Sequence, residues 1–414
     1  MQELVNGSTH TWEIGYDSRG RLETVTRDGT TTTYGYDPNG NLTAINGATF
    51  GTFDAQDRMV SFTPPGGELW TLAYTNNGDL TAKASSAQSY AFNYDLSSNL
   101  RNVSGSLFGS TAWSLDYVID GMNRRIGKAV TAGAGLIQEG LLYDEQRRVV
   151  AELDASNNVL STFVYGLKPN VPDYMVRGGT TYRIVSDWRG DVRLVIDTTK
   201  TGAAAVVQQI DYDEWGNVTN LVDPACTLGG TELCFQPFGF AGGVWDVTTG
   251  LVRFGVRDYD PQARRWTQKD PWRFRGHQGD LYVYVNDDPV NLGDPHGTAT
   301  YICTIPLNSL GFIPPGTPLF HQYVCVVQGG IPICGSFNPS GSMFGSPGQN
   351  DPNDQFNPSV CQQVNPDDPC VEDCIATISE NPASYPFYNV GPGGYQCQDW
   401  TKDVVNYCNT ACSQ

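Results

Sequence analysis

The chain has 414 residues and a net charge of −19, with 17% charged and 39% hydrophobic residues. A chain of this length can bury one large core and a second, smaller one. Gly (46), Pro (25) and Tyr (21) are abundant, which is typical of a turn-rich β protein. The acidity argues against a nucleic-acid partner, because no basic stripe exists to displace counterions. No apolar run reaches the length of a membrane-spanning helix.

Cysteine is distributed unevenly. None of the eleven occurs in residues 1–225, Cys226 and Cys234 form a close pair, and the other nine lie at or after Cys303. This density predicts an oxidising compartment, hence a secreted or cell-surface protein. The short loop between Cys226 and Cys234 predicts a disulfide. Zinc is the alternative, but histidine is scarce and no Cys-x-x-Cys occurs, so we predict no metal and no cofactor.

The first part of the chain repeats one unit at intervals of 17 to 25 residues. Each unit reads as a short alternating strand, a polar turn and a second alternating strand, which predicts a hairpin. Repeated hairpins stack into a continuous antiparallel sheet, although an ordinary antiparallel β domain is the alternative. The units are marked by Tyr16, Tyr36, Phe53, Tyr74, Tyr94, Ile119 and Tyr143.

This pattern resembles the YD repeat of RHS and teneurin-type proteins, whose sheet spirals into a hollow shell. Further motifs resemble the RHS-associated core in the same order: 187–197, 212–217, 238–242, 249–251, 257–261, 270–271, 279–285 and 294–297. The resemblance covers about residues 10–297 and implies a mainly β fold, a partial antiparallel spiral. We expect repeats in 1–165, the core in 166–297, and a small α+β, disulfide-rich variable domain in 298–414.

The same resemblance implies the C-terminal part of a polymorphic toxin or cell-surface protein that cuts itself after its final Asp-Pro-x-Gly. The matching positions are Asp270 and Asp294, with Asp280 as a third candidate, and cleavage after Gly297. Two close carboxyl groups can share one proton, so one acts as base on water and the other as acid. Thr298 departs from the family's usual Leu or Phe. In the alternative interpretation, these aspartates only form turns.

Residues 298–414 contain one basic residue against nine acidic ones, so a nuclease is not expected. Two alternating apolar runs flank Gly329-Gly330, which predicts a hairpin. This turn places Cys325 opposite Cys334, which we predict to form a disulfide, and His321 opposite Asn338.

A helix is predicted after Cys397, because Trp400, Val404 and Cys408 recur at four-residue steps. A strand-borne His followed by a Cys that opens a helix resembles the circularly permuted papain-like, NlpC/P60-related hydrolases, although Gln396 replaces their usual Asn. The resemblance implies Cys397 as nucleophile, His321 as general base and Asn338 as the residue that orients the imidazole.

Two functions are therefore open for the tail. In the first, it is a hydrolase or acyltransferase that acts on a target-cell protein or peptide, with an immunity protein as a further partner. In the second, Cys397 is a half-cystine, His321 is an ordinary strand residue, and the tail is a non-catalytic, disulfide-braced recognition module.

Overall fold

The structure is a computed structural model. It describes residues 2–5, 8–106, 113–132, 135–144, 147–166, 168, 170–270 and 280–294, and the strands of residues 298–389. Side chains are described from Thr11 to Asp294, with gaps. The chain divides into two compact units near residue 295. The predicted mainly β class is confirmed.

Antiparallel hairpins make up the chain as far as Val222. The first six described strands form one sheet and the next sixteen another, and in both sheets the strand order follows the chain. The second sheet continues without interruption past residue 165, the boundary expected between the repeats and the core. The strands are β1 Gln2–Val5, β2 Ser8–Tyr16, β3 Leu22–Arg27, β4 Thr30–Tyr36, β5 Leu42–Ile45, β6 Ala48–Thr49, β7 Gly51–Phe53, β8 Met59–Phe62, β9 Trp70–Tyr74, β10 Leu80–Ala84, β11 Ser89–Tyr94, β12 Leu100–Ser106, β13 Trp113–Ile119, β14 Arg125–Ala132, β15 Gly135–Tyr143, β16 Val149–Leu153, β17 Val159–Val164, β18 Tyr174–Arg177, β19 Thr180–Ser186, β20 Val192–Asp197, β21 Val206–Tyr212 and β22 Val218–Val222.

The remaining strands are shorter. Residues 244–266 form a four-stranded sheet, and the described residues include 3₁₀ turns at Gly202–Ala205, Phe240–Gly242 and Val285–Asp287. The strands are β23 Val244–Trp245, β24 Val252–Phe254, β25 Arg257–Asp260, β26 Arg265–Trp266, β27 Thr298–Pro306, β28 Phe320–Gln328, β29 Ile331–Gly335, β30 Asn338–Pro339, β31 Phe344–Ser346, β32 Gly348–Gln349, β33 Cys361–Asn365 and β34 Tyr388–Asn389.

The turn that the repeats share is shaped by the aspartate of each repeat. In the turn after β13, Asp120 Oδ1 accepts hydrogen bonds from the backbone N–H groups of Met122 and Arg124, both at 2.9 Å. Its Oδ2 accepts from Arg124 Nε at 2.7 Å, and Asn123 takes a φ of 60°. A short carboxylate can thus organise a turn that would otherwise leave backbone donors unpaired. The same i+2 and i+4 pattern occurs at Asp17, Asp37, Asp54, Asp95, Asp154, Asp187 and Asp213.

Tyrosine joins one repeat to the previous one. The Tyr143 hydroxyl donates to the Arg125 carbonyl at 2.7 Å, and the Arg124 guanidinium lies 5.2 Å from the Tyr143 ring centroid. Tyr36 makes the equivalent hydrogen bond to the Leu22 carbonyl at 2.8 Å. At these two repeats the Tyr therefore ties the hairpin to the one before it, and the Asp shapes the turn.

Residues 244–294 pack along one face of the long sheet through buried charge pairs. Lys83 of β10 pairs with Asp260 at 2.6 Å, and Arg125 of β14 pairs with Asp258 at 2.8 Å. Burial alone would raise the pKa of Asp258, but Arg125 and Arg253 hold it below its ordinary value. Such pairs must match closely, because a buried charge that loses its partner is costly.

The tail hairpin has the predicted register at its turn. Cys325 of β28 is paired with Cys334 of β29. The predicted pairing of His321 with Asn338 is wrong, because the β28–β29 ladder ends at Val324 and Gly335. His321 is paired with Ile305, and Asn338 with Gln349 in a separate two-stranded sheet. The side chains of these residues, and Cys397 with its predicted helix, lie outside the described residues.

Candidate functional site

Two of the predicted aspartates meet on one arginine. Arg257 Nη1 donates to Asp270 Oδ2 at 2.8 Å, and Arg257 Nη2 donates to Asp294 Oδ2 at 2.9 Å. All three residues are buried, with exposures of 2%, 3% and 7% respectively. One guanidinium therefore holds two carboxyl groups side by side, out of contact with bulk water.

The arginine is itself held in place by the core sheet. Arg257 begins β25, and its guanidinium carbon lies 4.0 Å from the ring centroid of Trp266 in β26. The backbone N–H of Asp270 donates to the Leu281 carbonyl at 2.9 Å, which fixes the chain that carries this carboxyl group. A cation packed against an indole ring in this way has little freedom to turn away from its carboxylates.

An aromatic cluster lies behind the arginine. The ring centroids of Tyr259 and Tyr284 are 4.4 Å apart, and that of Trp266 lies 5.4 Å from that of Tyr284. Phe240 and Phe254 complete the cluster. Tyr284 is fully buried in this cluster. Burial, with Asp294 and Asp191 nearby, raises the pKa of Tyr284 far above its ordinary value.

The chain that approaches Asp294 has an unusual backbone. Val285, Asn286 and Asp287 have φ values of 43°, 56° and 59°, in the left-handed region that β-branched residues rarely enter. The following residues are tied to a distant turn: Arg189 Nη1 donates to the Pro289 carbonyl at 3.1 Å. Trp188 Nε1 donates likewise to the Val290 carbonyl at 3.1 Å. Backbone strain of this kind persists only where surrounding contacts enforce it, and it is common at functional sites.

The third candidate, Asp280, lies on a different arginine. Both of its carboxylate oxygens accept from Arg265 Nη2 at 2.7 Å. The same guanidinium donates to Asn41 Oδ1 at 3.1 Å and to the Asp57 carbonyl at 2.8 Å. Burial raises the pKa of Asp280, and Arg265 opposes that shift. Asp280 therefore helps to hold the core against the repeat turns.

The Cys226–Cys234 pair forms the predicted disulfide, with an S–S distance of 2.06 Å. Asp223 lies beside it, and these three residues are the group of possible metal ligands found among the described residues. The two sulfurs are consumed by the disulfide, however. The Asp223 carboxylate accepts from the N–H groups of Ala225 at 2.7 Å and Phe235 at 3.1 Å. These three residues therefore do not suit a cation. The disulfide and the Asp223 carboxylate instead shape the loop that contains them.

Arg257 was not among the site residues predicted from the sequence. The sequence did contain a signal, because Arg257 begins the motif 257–261, which resembles the RHS-associated core. The next two residues of that motif, Asp258 and Tyr259, are also buried. Gly297 and Cys397 lie outside the described residues, and so do the side chains of His321 and Asn338. The described part of the chain contains no helix that is long and apolar enough to cross a membrane.

A sheet of Tyr-Asp hairpins, covered on one face by a core segment that returns along the repeat turns, defines a YD-repeat shell protein. The chain belongs to the Teneurin YD-shell family, whose model matches residues 1–290. This finding confirms the predicted RHS/YD-repeat class.

The curated relatives include animal and bacterial proteins. Teneurin-3 of Danio rerio is 25% identical over 287 residues, covering 67% of this chain and 10% of the relative. The tRNA nuclease WapA of Bacillus subtilis (strain 168) is 28% identical over 279 residues, covering 65% of this chain and 11% of the relative. The chain thus spans about a tenth of the length of these relatives.

Among solved structures, the complex named TcdB2-TccC3-Cdc42 is similar in part. It matches with a TM-score of 0.42 and 15% identity, covering 70% of this chain and 15% of that chain.

Proposed function

We propose that this chain is the C-terminal part of a toxin or cell-surface protein whose core cuts the polypeptide after Gly297 and so frees residues 298–414. The observation that carries the proposal is the buried group of Arg257, Asp270 and Asp294. It lies immediately before the bond in question, because Asp294 is three residues from Gly297. Three residues span at most about 10 Å, so the chain itself keeps Gly297 close to Asp294.

The chemistry is hydrolysis of one amide bond. One carboxylate takes a proton from water as the water oxygen attacks the Gly297 carbonyl carbon, and the other carboxyl group protonates the departing Thr298 nitrogen. The products are a Gly297 carboxylate and a free Thr298 amine. The role of Arg257 is to hold both carboxyl groups together and to offset their charge. This trio of groups is neutral when one proton is shared between the two carboxyls.

The test compares variants during synthesis of the full chain. We expect the wild type to yield fragments of about 297 and 117 residues, and Asp294→Asn and Asp270→Asn to remain intact. Glu152→Gln is the matched control, because it also breaks the ion pair of a buried carboxylate, with Arg177 at 2.8 Å, but both residues belong to the long sheet and lie outside the trio. A folded Asp294→Asn chain that is still cut after Gly297 would overturn the proposal.

For the freed tail we propose a cysteine hydrolase or acyltransferase that acts on a protein or peptide of a target cell. Cys397 is the nucleophile, His321 the base and Asn338 the orienting residue. Support comes from their order in the sequence and from the strand that carries His321. WapA of Bacillus subtilis is a tRNA nuclease. Because the tail of this chain has one basic residue, we propose that it is not a nuclease. We further propose that the whole protein is secreted or lies at the cell surface, and that an immunity protein is its partner.

The competing function for the tail is a non-catalytic, disulfide-braced recognition module. Brief alkylation of the folded protein at pH 7, followed by peptide mapping, separates the two. A catalytic tail predicts that Cys397 is labelled first, since a thiol at a helix N-terminus near an imidazole is activated. The substitution His321→Ala should then slow the labelling of Cys397. A Cys397 found in a disulfide would favour the recognition module and contradict the hydrolase.

A further inference from the structure

We propose that Lys128 of β14 and Asp246 of the core segment (residues 244–294) condense into an isopeptide bond, which joins the sheet of repeats to the core covalently. The two side chains already form a buried pair, because Lys128 Nζ lies 3.1 Å from Asp246 Oδ2. Their exposed fractions are 8% and 3%. This inference is independent of the proposed self-cleavage, since both residues precede Gly297 and neither belongs to the group around Arg257.

Lys128 lies between a hydroxyl group and a carboxyl group in the sheet. In the antiparallel ladder, Tyr117 of β13 is opposite Lys128 on one side, and Glu139 of β15 is opposite it on the other. Side chains that are directly opposite share a face of the sheet, with Cβ atoms about 4.5–5.5 Å apart. The Tyr117 hydroxyl donates a hydrogen bond to Asp246 Oδ2 at 2.6 Å. An amine, two carboxyl groups and a phenol therefore lie together on the face of the sheet that the core covers.

The two oxygens of the Asp246 carboxyl group have different surroundings. Its Oδ1 accepts hydrogen bonds from the backbone N–H groups of Thr248 at 2.9 Å and Thr249 at 3.1 Å. Two such donors stabilise the negative charge that an oxygen gains when a nucleophile attacks its carbon. Lys128 and the Tyr117 hydroxyl both face the other oxygen, Oδ2. The carboxyl group is therefore arranged to keep Oδ1 and to lose Oδ2.

Glu139 relays the proton that must leave Lys128 before the nitrogen can attack. Burial, with Glu152 nearby, raises the pKa of Glu139 to about 7, although Lys128 opposes the shift. A carboxyl group that titrates near neutral pH can both take up and return a proton. Burial would also raise the pKa of Asp246, but Lys128 and the Tyr117 hydroxyl hold it below its ordinary value. The reaction therefore begins from an ion pair.

The reaction is a condensation that balances without a further reactant. The Lys128 ammonium group gives one proton to the Glu139 carboxylate, and the freed nitrogen lone pair attacks Cγ of Asp246. Glu139 returns that proton to Oδ2, which also takes the second proton that the nitrogen loses. The Cγ–Oδ2 bond then breaks, and Oδ2 leaves as water. A buried ion pair carries a desolvation penalty, so its conversion to a neutral amide is favoured in this site.

A second buried pair has the same ion pair without the relay. Lys83 Nζ lies 2.6 Å from Asp260 Oδ2, and Asp260 Oδ1 also accepts two backbone N–H groups. The residues opposite Lys83 in the ladder are Leu72 and Tyr90, however, so neither position supplies a carboxyl group. We therefore expect Lys83 and Asp260 to remain an ion pair, which makes them an internal control.

The experiment maps the tryptic peptides of the purified wild-type chain by mass, after reduction. The proposed bond blocks cleavage after Lys128, so residues 126–147 should appear joined to residues 201–253, with a mass one water molecule below the sum of the two. Cleavage after Lys83 should proceed normally. Full recovery of the separate peptide 129–147 from the folded wild type would overturn the proposal. The result does not depend on cleavage after residue 297, because both partners lie on the same side of it.

Two variants test the role of Glu139. Lys128→Arg keeps a cation beside Asp246 but removes the amine, so it gives the Tm of the chain without the bond. Glu139→Gln cannot relay a proton, and we expect it to lose the joined peptide. Both variants should melt below the wild type, because a cross-link restricts the unfolded chain. A folded Glu139→Gln chain that forms the joined peptide as fast as the wild type would overturn the role of Glu139.

Discussion

The group formed by Arg257 and its two carboxyl partners could be predicted from the sequence only in part. The Asp-Pro motifs marked Asp270 and Asp294 as candidates. The arginine that joins them lies 37 residues from Asp294. Contacts over such separations depend on how strands β24 to β26 pack against the repeats, and no local periodicity encodes that packing.

A second carboxyl pair departs from the repeat pattern. Asp187 occupies the turn position that Asp120 holds, but its i+4 partner is another acid, Asp191, instead of an arginine or asparagine. Arg189 pairs with Asp191. Burial and Asp191 raise the pKa of Asp187 to about 7, although Arg189 opposes the shift. A pKa raised in the folded state makes stability fall as the pH rises toward that value.

We therefore expect Asp187→Asn to be more stable than the wild type at pH 8. The amide keeps the oxygen that accepts the turn's N–H groups, yet it cannot ionise beside Asp191. Each pKa unit corresponds to about 1.4 kcal/mol, so we expect a gain on the order of 1–3 kcal/mol at pH 8. The gain should shrink from pH 7 toward pH 4 and vanish below it. Denaturation across this range measures it, and an equal loss of stability at every pH would contradict the account.

At the scale of elements, the Tyr-Asp spacing predicted hairpins correctly because both residues act locally. The aspartate bonds to N–H groups two and four residues away, so its effect is visible in the sequence. Strands β17 to β19 were harder to foresee, since the turn between β18 and β19 uses Gly178 and Gly179 without an aspartate. In the tail, the Gly329-Gly330 turn gave the right register, but nothing in the alternation indicated that β29 ends at Gly335.

We expect Asp120→Ala to destabilise the sheet by about 2 kcal/mol, because it leaves two backbone N–H groups of the turn without their acceptor. Arg124→Ala in the same turn keeps the backbone acceptor, removes the ion pair and the contact with the Tyr143 ring, and should cost less than about 1 kcal/mol. Thermal unfolding of the two variants and the wild type is the measurement. Equal effects of the two substitutions would show that the ion pair, and not the backbone acceptor, stabilises the repeat.

At the scale of the whole first unit, the core segment and the repeats depend on each other. Asp258 is fully buried between Arg125 of the repeats and Arg253 of the core, at 2.8 and 2.7 Å. Other core residues meet other repeat turns, as Arg265 does at Asn41 and Tyr282 does at Gly78. We therefore expect the carboxyl pair on Arg257 to assemble only when the core has packed along the sheet.

Asp258→Asn should cost about 3–5 kcal/mol, since it leaves two buried guanidinium groups short of a charge. We expect a large fall in Tm together with slower self-cleavage, because the site is built from the same strands. Lys200→Ala is the control: the Lys200 side chain that pairs with Asp197 is 54% exposed, so we expect no measurable change in either property. A strongly destabilised Asp258→Asn chain that is cut at the wild-type rate would show that the site forms independently of core docking.

The most direct test of the account is the intact mass of the purified wild-type chain together with the N-terminal sequence of any fragment. The proposed self-cleavage predicts that the 45.2 kDa chain is replaced by two fragments, the smaller beginning at Thr298. An intact chain, or a fragment that begins elsewhere, would contradict the role assigned to Arg257, Asp270 and Asp294.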